Sequence, residues 1–137
     1  LKMNVGDILK NKIKKKLDVV VDAFAEGLVG DERHPLITGI TRANWQPSVN
    51  APTSKQLYYG YTQADILDAM TSYTLLIDLG TAEHTAKDFK WKLGDKLFWT
   101  NSLEHIGELE LRRRFFDVAV KNATIKAQAA ATTRRTK

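Results

Sequence analysis

The chain has 137 residues, 43% hydrophobic and 27% charged, with no cysteine and a formal net charge of +5. That is the size of one domain around one core, and the composition excludes disorder throughout. It also excludes disulfide staples, cysteine-zinc sites and thiol nucleophiles.

No run approaches the ~20 apolar residues of a membrane helix. The N-terminus alternates Lys with apolar residues and lacks the continuous apolar core of a secretory signal, so none is expected. The charge is unevenly placed. Residues 1–16 carry six Lys and one acid, residues 111–137 eight basic groups and one acid, and residues 17–110 seven basic and fourteen acidic groups. Two basic ends around an acidic middle raise nucleic acid or an acidic protein surface as partners. The plainer reading is that charged helix ends aid solubility.

Val5, Leu9, Ile13, Leu17, Val20, Phe24 and Leu28 recur at steps of three or four, which predicts a helix over residues 4–28 with one apolar stripe. Five Lys between positions 10 and 16 cover its other faces, and Gly30 is the expected stop. In residues 37–49, Ile37, Ala43, Trp45 and Val49 share one parity, which predicts an extended segment with one buried face. Pro47 places that segment at a sheet edge or strand end. Residues 50–54 read as a loop, closed by the aromatic patch Tyr58-Tyr59-Gly60-Tyr61. Thr62 and Asp65 read as a helix cap with an acid in the first turn. The stripe Ile66, Met70, Tyr73 and Ile77 follows, with Gly80 as its end. Residues 81–92 are polar and carry no clear pattern. Gly94-Asp95 reads as a turn and residues 96–101 as a strand. Ser102 is the expected cap of a last helix with Leu103, Ile106, Leu109, Phe116 and Val120 on its apolar face, extended by Ala-rich residues 127–131. The order helix, strand, helix, strand, helix predicts an α+β fold: a long N-terminal helix, a small antiparallel sheet, a central helix and a long C-terminal helix. One domain over residues 1–131 and a basic flexible tail over 132–137 are expected.

Reactive groups do not converge in the sequence. There is no Gly-rich phosphate loop. His105 and Glu108 stand three apart on a predicted helix, a metal-ligand spacing, but the rest of a ligand set is missing and a solvated face is the simpler reading. No enzyme activity, metal or cofactor is expected. DNA binding is the stronger rival. Arg112, Arg113 and Arg114, with Lys121, Lys126, Arg134 and Arg135 beyond them, would contact phosphate without sequence preference. Successive residues lie about 100° apart on a helix, however, so the Arg triplet forms no single reading face, and no nucleic-acid-binding signature is present. Of three Trp, Trp45 and Trp99 lie on predicted strands and are expected in the core. Trp91, in a polar segment, is a candidate interface anchor, as are Tyr58, Tyr59 and Tyr61.

Two segments carry a resemblance. Thr38-Gly39-Ile40-Thr41-Arg42-Ala43-Asn44-Trp45-Gln46-Pro47-Ser48-Val49 resembles the "T-G-x-x-R-x-N-W-x-x-S-(I/V)" stretch of the minor tail or tail-completion proteins of long-tailed bacteriophages, the lambda Z-type family. Gly94-Asp95-Lys96-Leu97-Phe98-Trp99-Thr100-Asn101 resembles that family's "G-D-x-(L/I)-(Y/F)-(I/W)-T-N" strand. The motif residues are thus Thr38, Gly39, Arg42, Asn44, Trp45, Gly94, Asp95, Thr100 and Asn101. After them the chain departs: residues 102–110 lack the family's "P-Y-A-x-x-L-E-Y-G" and its Ala-Pro loop. The resemblance implies a non-catalytic virion part, made in the host cytoplasm, that completes the tail and joins it to the head. It implies a homo-oligomeric ring, commonly sixfold, around the channel for genomic DNA. Its neighbours would be the tail terminator or tube and the head–tail connector, with no membrane partner. Arg112, Arg113 and Arg114 are then candidates for contact with a neighbouring subunit or with passing DNA.

Overall fold

The computed structural model describes residues 4–30, 37–103 and 115–132. Among them are four α-helices, one 3-10 turn and a two-stranded antiparallel sheet, an α+β fold as expected.

Helix α1 spans Val5–Val29. Asn4 caps it, its side chain accepting the Asp7 N–H at 2.8 Å. Gly30 ends it, donating its N–H to the Glu26 carbonyl. The stripe read from the sequence is real, but only its C-terminal end is covered. Ala25, Gly27, Leu28 and Val29 are buried, whereas Val5, Leu9, Ile13 and Leu17 are exposed. The last helix, α4, spans Phe115–Thr132 and packs along α1 through small residues. Ala119 and Ala123 are buried, and a Cβ on Gly27 would meet Ala123 Cα at 2.6 Å. Val120, expected inside, is exposed, because the adjoining Ala119 takes the inward position. Ser102 and Leu103 are not helical: the Ser102 carbonyl accepts the Gln56 amide at 2.8 Å, and Leu103 is buried in the core. Ile106 and Leu109 lie outside the described residues, as does the chain beyond Thr132.

Residues 37–49 do not form one extended segment. The Thr38 hydroxyl accepts the Ile40 N–H at 3.2 Å, Gly39 takes φ +80°, and a 3-10 turn follows at Arg42–Asn44. The shared parity of Ile37, Ala43, Trp45 and Val49 is therefore not a strand face: Ala43 and Trp45 are buried across a turn, and Ile37 is exposed. Only Gln46–Val49 is a strand, β1. It pairs antiparallel with β2, Leu97–Thr100, in the register Gln46 to Thr100, Pro47 to Trp99, Ser48 to Phe98 and Val49 to Leu97. With two strands both are edges, so the missing N–H of Pro47 is tolerated. The Gly94 turn into β2 is as expected, with φ +95° and the Asp95 N–H on the Lys92 carbonyl at 3.1 Å.

Helix α2 spans Gln63–Ser72 and opens with a full capping box between Thr62 and Asp65. It ends at Tyr73, in the left-handed region at φ 55°, and not at Gly80. The chain then leaves the helix so that the N–H groups of Leu76 and Ile77 both reach the Thr38 carbonyl, at 2.9 and 3.0 Å. Ile77 is buried by that crossing and not by a helical stripe. A further helix, α3, spans Leu79–Lys87 in the stretch that carried no pattern, with Asp78 as its cap and Gly80 in its first turn. Its inward face is Ala82 and Ala86, too small to register as a stripe. It packs against α1, β1 and the 3-10 turn.

Candidate interaction surfaces

The two motif segments, about fifty residues apart, are brought together as the paired strands and the turns that lead into them. Their side chains hold backbone. The buried Asn44 amide donates to the carbonyls of Ile40 at 2.8 Å and Leu57 at 2.9 Å, and its oxygen accepts the Leu57 N–H at 2.8 Å. Asn101 donates to the Thr41 carbonyl at 2.8 Å, and Thr100 donates its hydroxyl to the Thr53 carbonyl at 2.7 Å. Asp95 accepts the Lys92 N–H at 2.9 Å and the Asn50 amide at 3.2 Å. Those bonds hold its carboxyl below the ordinary carboxylate range, the Lys92 N–H contributing most. Trp45 is among the largest fully buried side chains. Trp99 donates its indole N–H to the Ala86 carbonyl at 2.9 Å and stacks near Phe24, ring centres 5.0 Å apart. These residues form a scaffold: the side chains of Thr38, Asn44, Asp95, Thr100 and Asn101 each bond a backbone carbonyl or amide.

Arg42 and Asn101 each keep one buried atom, Nε and Oδ1, without a hydrogen-bond partner. Burial pulls the Arg42 pKa down from its ordinary value, while the negative charges of Asp78 and Glu83 oppose the shift.

The aromatic loop turns inward. Tyr58, Tyr59 and Tyr61 are half-buried and pack on the core. The Tyr59 hydroxyl donates to the Ala43 carbonyl at 2.6 Å and accepts the Thr85 hydroxyl at 2.8 Å. Burial raises its pKa, partly offset by Thr85. Trp91 lies half-buried at the rim of an open cleft of about 450 Å³ between α1 and residues 87–91. Lys14 spans that rim, its Nζ 4.0 Å from the Trp91 ring centre and 2.8 Å from Asp18 Oδ1. Arg112, Arg113 and Arg114, like His105 and Glu108, lie outside the described residues.

Compared with protein-family models, curated proteins and solved structures, the chain matches none. What it offers a partner must be read from its own surface.

Among the described residues, two runs of exposed apolar side chains stand out. On the first half of α1, Val5 is 72% exposed, Leu9 53%, Ile13 50% and Leu17 38%, with Lys10, Lys12, Lys15 and Lys16 exposed among them. On α2 and the stretch into α3, Leu67 is 62% exposed, Met70 48%, Tyr73 79% and Leu75 52%. Single exposed apolar side chains need no explanation, but successive ones along one helix make a candidate interaction surface. The sequence carried the α1 stripe but not which half of it the domain covers. The second surface is not legible in the sequence, where Met70 and Tyr73 share one stripe with Ile66 and Ile77 and nothing shows which of the four are covered. Among the described residues no group of three or more His, Asp or Glu side chains could hold a metal ion, and no helix is long and apolar enough to cross a membrane.

Proposed function

We propose that this chain is a non-catalytic structural subunit of a bacteriophage neck or tail end. It completes the tail and joins it to the head connector, assembling as a ring around the DNA channel. The observation that carries the reading is the bare apolar stripe on the first half of α1. A helix that buries only its last turns in its own domain has an interface left to make. The resemblance of the two strand segments to tail-completion proteins gives that interface its setting. A structural role also suits motif residues whose side chains are committed to holding backbone. Basic groups near both ends of the chain suit loose phosphate contact with DNA in transit.

The test combines solution mass by light scattering with restoration of tails assembled without this protein. A discrete closed oligomer, or a monomer that forms rings on such tails and restores head joining, is the expected result. A second reading, a small DNA-binding module without sequence preference, is favoured by the exposed Lys residues of α1. A stable monomer that ignores such tails, yet binds random duplex DNA with an affinity falling steeply as salt rises, would replace the ring reading with that one.

A further inference from the structure

We propose that the exposed first half of α1 seats on the acidic apolar surface of α2 and residues 73–79 in a second copy of this chain. The proposal rests on the assembly reading above and names the contact that would build it.

The two surfaces are complementary in charge. Residues 5–17 of α1 carry Lys10, Lys12, Lys14, Lys15 and Lys16 against a single acid, Asp7. Residues 63–79 carry Asp65, Asp68 and Asp78 and not one Lys or Arg, with Arg42 near Asp78 at the far end. Each surface would repel its own kind: two copies of α1 set stripe to stripe would bring together ten Lys side chains. Opposed, Lys12 and Lys16 can meet Asp65 and Asp68 around an apolar centre. The capping box holds the Asp65 carboxylate at the start of α2, with Oδ2 3.0 Å from the Thr62 N–H.

The two surfaces also match in length. Residues 5–17 make a rod about 20 Å long at 1.5 Å per residue, and α2 with the stretch after it offers a comparable span. Both are free to be used. Among the described residues, α1 is buried only towards its C-terminal end, Lys14 on its first half is held by Asp18 and Trp91, and the sole fully buried side chain of α2 is Ala69. Different surfaces on the two partners make a heterologous contact. Such a contact propagates from copy to copy and closes into a ring when the rotation allows. A contact between identical surfaces would stop at a dimer.

Two variants test this by sedimentation equilibrium. One carries Leu9→Glu with Ile13→Glu and spoils the α1 surface. The other carries Leu67→Glu with Met70→Glu and spoils the α2 surface. All four positions are exposed, and unchanged far-ultraviolet circular dichroism checks that each variant folds. The expected result is an oligomeric wild type, a monomer from each variant alone, and a dimer in their equimolar mixture, held by the one intact seat. The proposal is overturned if the mixture stays monomeric or if either variant keeps the wild-type mass. A wild type that is monomeric in solution but restores tails overturns this seat and leaves the ring reading standing. A wild type that stays monomeric, ignores such tails and binds phosphatidylserine vesicles through α1 overturns both.

Discussion

Asn44 joins the 3-10 turn to the loop after β1 with three hydrogen bonds, at 2.8 Å to Ile40 O, 2.9 Å to Leu57 O and 2.8 Å from Leu57 N. Only a carboxamide presents donor and acceptor side by side to the N–H and C=O of one residue. Asn44→Ala leaves those buried groups without partners, at ~1 kcal/mol or more each, so a loss of about 3 kcal/mol in urea unfolding is expected. Asn44→Asp should be no milder, because a carboxylate cannot donate to the two carbonyls. A loss well under 1 kcal/mol for the Ala variant would show that the loop does not depend on this residue. Gly39 is fixed by a different constraint. Its φ is +80°, and a Cβ would come within 2.1 Å of the Ile77 carbonyl oxygen. Gly39→Ala should therefore cost about 3 kcal/mol from left-handed strain and backbone displacement together. It should also weaken the crossing that brings residues 76 and 77 to Thr38, read as faster amide exchange at Leu76 and Ile77.

At the scale of the element, α1 is one stripe with two fates. Phe24 packs near Trp99, which in turn meets Phe89 edge-on with ring centres 5.6 Å apart. Ile13, on the same stripe, is half exposed to solvent. Phe24→Ala is expected to destabilise the isolated subunit by about 2–3 kcal/mol, below the range for a fully buried Phe because the ring is only partly covered. Ile13→Ala should change its stability by no more than about 0.5 kcal/mol. Chemical denaturation at low protein concentration, where the subunit is alone, separates the two. Comparable losses would mean that the first half of α1 is covered after all. Helix α3 shows the converse: its inward residues, Ala82 and Ala86, contribute little area. Its position is set instead by the Asp78 cap, whose side chain accepts the Thr81 N–H at 2.8 Å, and by contacts that larger residues of α1 and β2 make around it.

On the scale of the whole molecule, three helices meet at Glu26. It pairs with Lys87, the last residue of α3, and its other oxygen lies 3.7 Å from Lys126 of α4. The Lys87 hydrogen bond is the largest cause holding Glu26 below the ordinary carboxylate range, and Glu26 in turn raises Lys87. For Glu26, lowered on folding, the contribution is present above the unfolded carboxylate pKa and is lost as pH falls through the folded one. For Lys87, raised on folding, it is present below the unfolded lysine pKa and is lost as pH rises through the folded one. The pair therefore supports the fold across the neutral range and is lost in acid, as pH falls through the lowered Glu26 pKa. Both side chains are about a third exposed, so solvent screening keeps the effect small. Glu26→Gln should flatten part of the acid limb of stability against pH and leave the shape near neutrality unchanged. An unaltered acid limb would mean that the three helices do not depend on this cluster.

Local chemistry was enough to read from the residue order the caps at Thr62 and Gly30, the turn at Gly94, strand β2 and the long helices. The caps and the turn rest on contacts within a few residues, and the strand and helices on the local run of residue types. The α+β class followed from their order, and the two motif segments stood out by their resemblance to tail-completion proteins. Three features were decided only by tertiary contacts. Tyr73 stops α2 because Leu76 and Ile77 are drawn to the Thr38 carbonyl, a partner far away in sequence. Residues 37–45 turn where their parity suggested a strand, because Gly39 must pass close beneath Ile77 and Asn44 must reach Leu57. The exposed surfaces of α1 and α2 depend on where other elements end, and a periodic stripe shows that a face is apolar without showing how much of it finds a neighbour. Periodicity is a property of one helix, and burial is a property of two.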